Sequence, residues 1–282
     1  MFINKDIWTK TSCILFLGMT LGAYLLAGSA RASEQDTRLH YSVYLGGLFL
    51  GSIDVDVSQT DHNYTILSTA STNQAFNLLI NWIARGETKG LVDLDKFLPR
   101  QHQHKSKWNN NERIVTMDYT PDGSVHVEKV GGRSDDMDKY TPVDPSSLTN
   151  SIDPMTAILT VSERLERGED CNISLPVFDG HRRYDAILSD VPPRAFRPSA
   201  YSVFSGTAIG CRIEFQRKGG FPVNRNYDQE QKQDVIVWAG DPSGDGRIVP
   251  VRLQLETQFG AMEIHLDRYS DGLTKLVSRN AR

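Results

Sequence analysis

The sequence predicts a mainly β protein: a single large antiparallel, spiral or barrel-like sheet with one or two helices packed against it. Three observations lead there. Apolar and polar residues alternate over many short runs, as in Ile53, Val55 and Val57 against Asp54, Asp56 and Ser58, which is the period of a half-buried strand. Turn chemistry separates the runs, most clearly at Thr120-Pro121-Asp122-Gly123, where proline presets φ and glycine accepts a positive φ. A single convincing helix, from Asp153 to Gly168, has both a start and a stop signal.

In chain order, the first element is not part of the fold. Lys5 and Lys10 precede an apolar run from Cys13 to Ala27, and Ala30-Arg31-Ala32 follows with small residues at both positions of a cleavage site. This is the three-part pattern of a secretory signal peptide, with cleavage expected after Ala32 and residues 33–282 left as one periplasmic β domain. The alternative is a membrane anchor, for which the run is short against the ~20 residues a span needs. Cleavage would remove three basic residues and one acidic one, so the remaining chain is more acidic than the formal net charge of −4. With no long Lys/Arg block, nothing points to nucleic acid. Export leaves Cys171 and Cys211, which are expected to pair in an oxidising compartment. Closing a loop of about 40 residues is worth roughly 4 kcal/mol in the chain-entropy model. The alternative is two separate buried thiols.

Strand patterns then follow one another. Leu39 to Leu45 alternates, Gly46-Gly47 and Gly51 suggest a turn or bulge, and Ile53 to Ser58 and Tyr64 to Thr72 alternate again. Gln74 to Ile83 is the most apolar stretch after the leader, and periodicity leaves it open between a short helix and a buried crossing segment. Strands are expected over Glu87 to Val92, Gln101 to Trp108, and in the hairpin Arg113 to Val130. Gly131 to Asn150 reads as a loop. Asp153 as N-cap and Pro154 at the first helical position then start the helix, with Met155, Ile158, Leu159, Ser162 and Leu165 on its apolar face. Thr156 falls on the polar face. Beyond Gly168 come alternating runs at Ile173 to Val177 and Tyr184 to Leu188, a loop at Pro192-Pro193, and a hairpin from Tyr201 to Arg217. Val235 to Trp238 is apolar on both faces, as a central strand would be, and Val249 to Leu255 with Met262 to Leu266 forms a last hairpin.

Several constellations bear on chemistry. His102 and His104 share a strand face near Glu87 or Asp93, but no third metal ligand has characteristic spacing. Asp241-Pro242-Ser243-Gly244-Asp245-Gly246 resembles the front of a calcium loop, yet Arg252 stands where a bidentate glutamate is needed, so a hairpin loop is expected. Asp135, Asp136 and Asp138 read as a solvated loop, and His181-Arg182-Arg183 with Asp179 and Asp185 as structural ion pairs before an anion site. No P-loop, dinucleotide fingerprint, zincin or G-x-S-x-G motif is present. The reading is therefore no catalytic residue, no metal and no cofactor. A barrel-like sheet also suggests an apolar cavity, for which Phe76, Leu79, Trp82, Trp108 and Trp238 are the candidate lining residues; a filled core is the other reading.

Some stretches carry a resemblance. Tyr44-Leu45-Gly46-Gly47-Leu48-Phe49-Leu50-Gly51-Ser52, Gly90-Leu91 through Leu98-Pro99, Asp153-Pro154-Met155-Thr156-Ala157, Pro176 through Tyr184, and Trp238 followed by Pro250-Val251 resemble a bacterial family of exported proteins of unknown function. The resemblance spans nearly all of the chain after the leader. It implies a periplasmic, spiral or barrel-like β domain, similar in kind to carriers of envelope lipids or lipoproteins, with no assigned activity, cofactor or catalytic residue. The family usually joins its last strands by a proline-rich turn; Asp241 to Arg247 makes a longer loop here. The expectation is a periplasmic cell-envelope protein, not an enzyme, that binds a lipid-like ligand or an envelope partner protein and does not span the membrane. A structural interaction domain with a filled core is the second reading, and a hydrolase with an unrecognised site the third.

Overall fold

The computed structural model describes residues 35–76, 81–131, 139–223, 235–257 and 260–282. The expected Leu79 and Asp135, Asp136 and Asp138, with the leader through residue 34, lie outside them. Residues 32–282 make one compact unit. The alternating runs fold as fourteen strands of one antiparallel sheet: β1 (Gln35–Leu45), β2 (Leu48–Gln59), β3 (Asn63–Thr72), β4 (Trp82–Asp93), β5 (Lys96–Trp108), β6 (Asn111–Tyr119), β7 (Val125–Gly131), β8 (Ile173–Phe178), β9 (Arg183–Phe196), β10 (Gly206–Gly219), β11 (Val235–Gly240), β12 (Val249–Thr257), β13 (Gly260–Ser270) and β14 (Lys275–Val277). Among the described residues one α-helix, α1 (Pro154–Glu166), lies between β7 and β8 in the chain.

The strand order is β7-β6-β5-β4-β3-β2-β1-β13-β12-β11-β10-β9-β8, with β14 attached to β13. Two meanders, β1 to β7 and β8 to β13, are thus joined by the β1–β13 ladder, where Tyr41 pairs with Leu266 and Val43 with Ile264. The sheet is open, and its two edge strands, β7 and β8, are consecutive in the chain. The sheet curls until these edges meet through side chains: Val115, Met117 and Tyr119 of β6 and Val125 and Val127 of β7 pack with Phe178 of β8. At this seam Gly180 has φ +83, and a Cβ there would stand 2.2 Å from Val115 Cγ1, so only glycine lets the β8–β9 turn approach. Such curling is how a sheet this wide limits its exposed edges.

The fold class agrees with the sequence expectation, and three local readings change. Pro192 and Pro193 are not in a loop but inside β9, where β8 has already ended and the β9–β10 register shifts between Ala208 and Gly210. A free side and a bulge are the places where a strand tolerates proline. The expected hairpin from Tyr201 to Arg217 is one long strand from Gly206, with no turn at Ile209-Gly210. On α1, Thr156, expected on the polar face, is buried.

Candidate functional site

α1 begins where the sequence places it. Asp153 caps the helix, its Oδ1 accepting the amides of Met155 at 2.9 Å and Thr156 at 3.0 Å, with Pro154 at the first helical position. The cap is also a junction. Thr88 of β4 donates to Asp153 Oδ1 at 2.9 Å, Thr156 Oγ1 donates to Oδ2 at 2.5 Å, and Tyr64 OH of β3 is 2.8 Å from Thr156 Oγ1. His102 Nδ1 of β5 is 2.7 Å from Thr88 Oγ1 and 3.3 Å from Asp153 Oδ1. Burial opposes ionisation of Asp153, but the His102 bond and charge and the Thr156 bonds outweigh it and hold the carboxyl below its ordinary range. Thr156 is buried because it serves this junction, which pins the N-terminal end of α1 to the β3–β5 sheet.

The other end of α1 is held differently. Arg167 and Gly168 end the helix, and Cys171 is joined to Cys211 of β10 by the disulfide, as the two cysteines predicted. The last helical residue, Glu166, accepts the Ile248 amide at 2.9 Å through Oε1. Burial first, then the nearby Glu163, push the Glu166 carboxyl up to about 7, against the opposing charge of Arg247.

Between α1 and the inner face of the sheet lies a cavity of about 540 Å³. Every second residue of the strands faces it: Leu39 and Tyr41 of β1, Ile53, Val55 and Val57 of β2, Leu175 and Val177 of β8, and Val235, Val237 and Ala239 of β11. Met155, Ile158, Leu159, Val161 and Leu165 of α1 close it. The apolar set expected on the helix face thus turns to the cavity, Ile158 included. Polar members are few: Thr37, Ser68, Ser162, Glu163, Glu166, Arg247 and Arg252. A largely apolar concavity with a few polar groups is the usual form of a small-molecule site.

The aromatic residues expected at such a site lie elsewhere or are not described. Trp82 and Trp108 pair across β4 and β5 near one end of the strands, with Trp108 51% exposed. Trp238 is buried in the core cluster around Leu266 and Tyr269, its Nε1 donating to Gln254 Oε1 at 3.3 Å. None of the three lines the cavity. Phe76 ends a short 3-10 turn, Gln74–Phe76, and is described by its backbone alone. The lining is instead made mostly of β-branched and aliphatic residues from nine strands, which no local pattern brings together.

Two largely buried polar clusters bring histidine, carboxylate and hydroxyl groups together. In the first, described above, Thr88 and Asp153 approach the same nitrogen of His102. In the second, Ser42 donates to Asp267 Oδ2 at 2.6 Å, His40 Nε2 is 3.8 Å from Asp267 Oδ1, and His40 Nδ1 is 2.6 Å from Asp54 Oδ1. A bulge between His40 and Tyr41 in the β1–β13 register turns Asp267 toward Ser42. In neither cluster is a hydroxyl bonded to an imidazole whose other nitrogen a carboxylate holds, the arrangement that activates a serine or threonine nucleophile. Among the described residues no group of three or more His, Cys, Asp or Glu is arranged to hold a metal. The calcium-like loop binds itself: Asp241 accepts the amides of Ser243, Gly244 and Gly246 at 3.1, 2.6 and 2.7 Å. Arg183 donates to the Ser147 and Tyr184 carbonyls and to Asp185, and Asp179 caps the turn through the His181 and Arg182 amides.

The family model for DUF3108, proteins of unknown function, matches residues 40–267, from β1 into β13. The chain belongs to the DUF3108 family. Among solved structures, the beta-barrel-like protein of domain of unknown function DUF1849 from Brucella abortus is similar, with a TM-score of 0.51 and 10% identity over 86% of this chain and 99% of that one. That likeness concerns the fold alone, and it places the DUF3108 sheet among barrel-like architectures. No curated protein matches the chain. Among the described residues no helix is long and apolar enough to cross a membrane.

Proposed function

We propose that this protein is a non-enzymatic, apolar-ligand-binding protein of the cell envelope, acting in the periplasm after removal of its leader, and that its ligand occupies the concavity beneath α1. The cavity of about 540 Å³ with its apolar lining carries this reading. A volume of this size is within the range of sites for drug-sized molecules, roughly 300–1,000 Å³. The leader pattern and the pairing of Cys171 with Cys211 support an oxidising compartment.

Native mass spectrometry of protein taken from the periplasm, followed by lipid extraction, tests the reading. The expected result is a bound hydrocarbon-containing species that is lost in Ala157→Phe, which fills the cavity from α1; overpacking is expected to cost about 1–3 kcal/mol, so a thermal melt establishes that the variant is folded. A ligand-free protein that also fails to take up the neutral probe N-phenyl-1-naphthylamine would overturn it.

A further inference from the structure

One rim of the cavity can be followed outward from side chain to side chain. On β10, Cys211, Ile213 and Phe215 face the cavity, and Phe215 is still 48% exposed, which puts it at the mouth. Arg217 is the next residue on that face, about 7 Å beyond Phe215 along the strand. It pairs across the β9–β10 ladder with Tyr184, which also lines the cavity. The Tyr184 ring stands edge-on to Phe215, with centroids 5.4 Å apart, and to Phe221 at 6.4 Å. Phe221 in turn lies under two guanidiniums, Arg217 at 5.1 Å and Arg182 at 5.9 Å from its centroid. The apolar lining thus leads through two aromatic rings to a pair of cations.

The acids around this rim already have partners. Asp185 is shared by Arg183 at 2.6 Å and Lys218 at 3.2 Å, and Asp179 accepts the amides of His181 and Arg182. Arg182 itself is exposed, and among the described residues its side chain makes no hydrogen bond or ion pair beyond the stacking on Phe221. Arg217 has a further interaction of its own, but a guanidinium carries five N–H donors and holds more than one acceptor. Cations prevail in this corner: burial first, then Arg113, Lys129 and Arg182, hold the His181 imidazole below its ordinary range against the opposing charge of Asp179. Inside the cavity charge is balanced. Glu163 and Glu166 stand against Arg247 and Arg252, and Arg252 is held by Glu263 at 2.6 Å and Arg247 by Gln35.

We propose that the ligand is a single-chain amphiphile with an anionic head, whose carboxylate or phosphate is held at the mouth by Arg182 and Arg217 while its chain passes Tyr184 and Phe215 into the space beneath α1. This rests on the apolar-ligand reading above and specifies its ligand class. A guanidinium presents paired N–H donors that match two oxygens of a carboxylate or phosphate. At the exposed rim the head keeps part of its water, so the cost of burying its charge is not incurred. At roughly 30 Å³ for each water-sized group, the cavity holds about eighteen non-hydrogen atoms, enough for one long chain and not for two.

The test is displacement of N-phenyl-1-naphthylamine from delipidated protein by four amphiphiles of equal chain length, each below its micellar concentration: palmitate, palmitoyl lysophosphatidate, monopalmitoylglycerol and hexadecylamine. At pH 7 the two anionic lipids are expected to displace the probe at concentrations about 10-fold lower than the neutral and cationic ones. Arg182→Gln and Arg217→Gln are each expected to weaken palmitate about 3- to 5-fold and leave monopalmitoylglycerol unchanged. Arg182→Glu, a charge reversal at an exposed position, is expected to weaken palmitate about 10-fold and to strengthen hexadecylamine, which a merely structural role for Arg182 would not do. Inorganic phosphate, followed by titration calorimetry, is expected to bind far more weakly than palmitoyl lysophosphatidate; equal affinity would make this a site for small anions and overturn the amphiphile. Probe binding with equal displacement by all four lipids, with the neutral or cationic lipid strongest, or with palmitate unaffected by all three arginine variants, would overturn the head-group assignment and leave the apolar-ligand reading intact. Absence of probe binding and of all four lipids would overturn that reading itself.

Discussion

The two ends of α1 each carry a carboxylate, and the two behave in opposite ways. Asp153 at the first end is fully buried yet held ionised, because two amides, two hydroxyls and His102 converge on it. Glu166 at the last end is only half-buried, yet burial pushes its carboxyl up to about 7, because only one amide offsets it and the strongest charge acting on it is that of another glutamate, Glu163. Depth of burial therefore does not decide the charge state; the number of donors does. The difference also separates the tasks: the saturated end is an anchor, and the unsaturated end borders the cavity.

The comparison can be broken at either end. The largest effect is expected from replacing both Cys171 and Cys211 with serine, which frees the segment after the C-terminal end of α1: about 4 kcal/mol of stability lost, read as the shift in urea midpoint. In the wild type, neither cysteine should react with a thiol reagent before reduction.

Asp153→Ala attacks the other end, leaving Thr88, Thr156 and two amides without their acceptor. A loss of about 3 kcal/mol is expected, again by urea denaturation. A variant within 0.5 kcal/mol of wild type, roughly the range of a neutral surface change, would show that the junction is not an anchor. Because the folded state holds this carboxyl below its ordinary value, its contribution is present above pH 4 and is lost as pH falls further. The alanine variant should therefore differ from wild type less at pH 2.5 than at pH 6.

The smallest effect belongs to Glu166→Gln, and its sign is reversed. Below pH 4.5 the carboxyl is protonated in both folded and unfolded chains and costs nothing. Between pH 4.5 and about 7 the unfolded chain ionises while the folded one keeps its proton, so stability falls as pH rises; above that it is constant. Discounted for solvent screening of a partly exposed group, the wild type should lose about 1 kcal/mol relative to the glutamine variant between pH 4.5 and 8. Parallel stability curves for the two proteins would remove Glu166 as a titrating group.

What was legible in the sequence follows the range of the interaction. The Asp153-Pro154 start of α1, the turn at Thr120 to Gly123 and the alternation along β2 are local and read directly. Thr156 was not, because its hydroxyl is recruited by Asp153 and by Tyr64, which is far away in the chain. Pro192-Pro193 misled for a related reason: β8 stops short of them, and only the pairing of strands reveals the free side. The cavity lay furthest out of reach. Large aromatic residues stand out in a sequence, but Trp238 is taken by Gln254 and the core around it, while the walls are made of valines and isoleucines whose convergence depends on how strongly the sheet curls.

The ladder between β1 and β13 has a consequence for how the molecule is made. The first strand completes its pairing only with the penultimate one, so nearly the whole chain must be synthesised before β1 gains its second neighbour. Contacts so distant in sequence make folding slow, and until they form β1 is an open edge for other chains to join. A chain cut short before Gly260 would keep its β1–β7 meander and expose that edge permanently, which makes truncated forms of this protein candidates for aggregation.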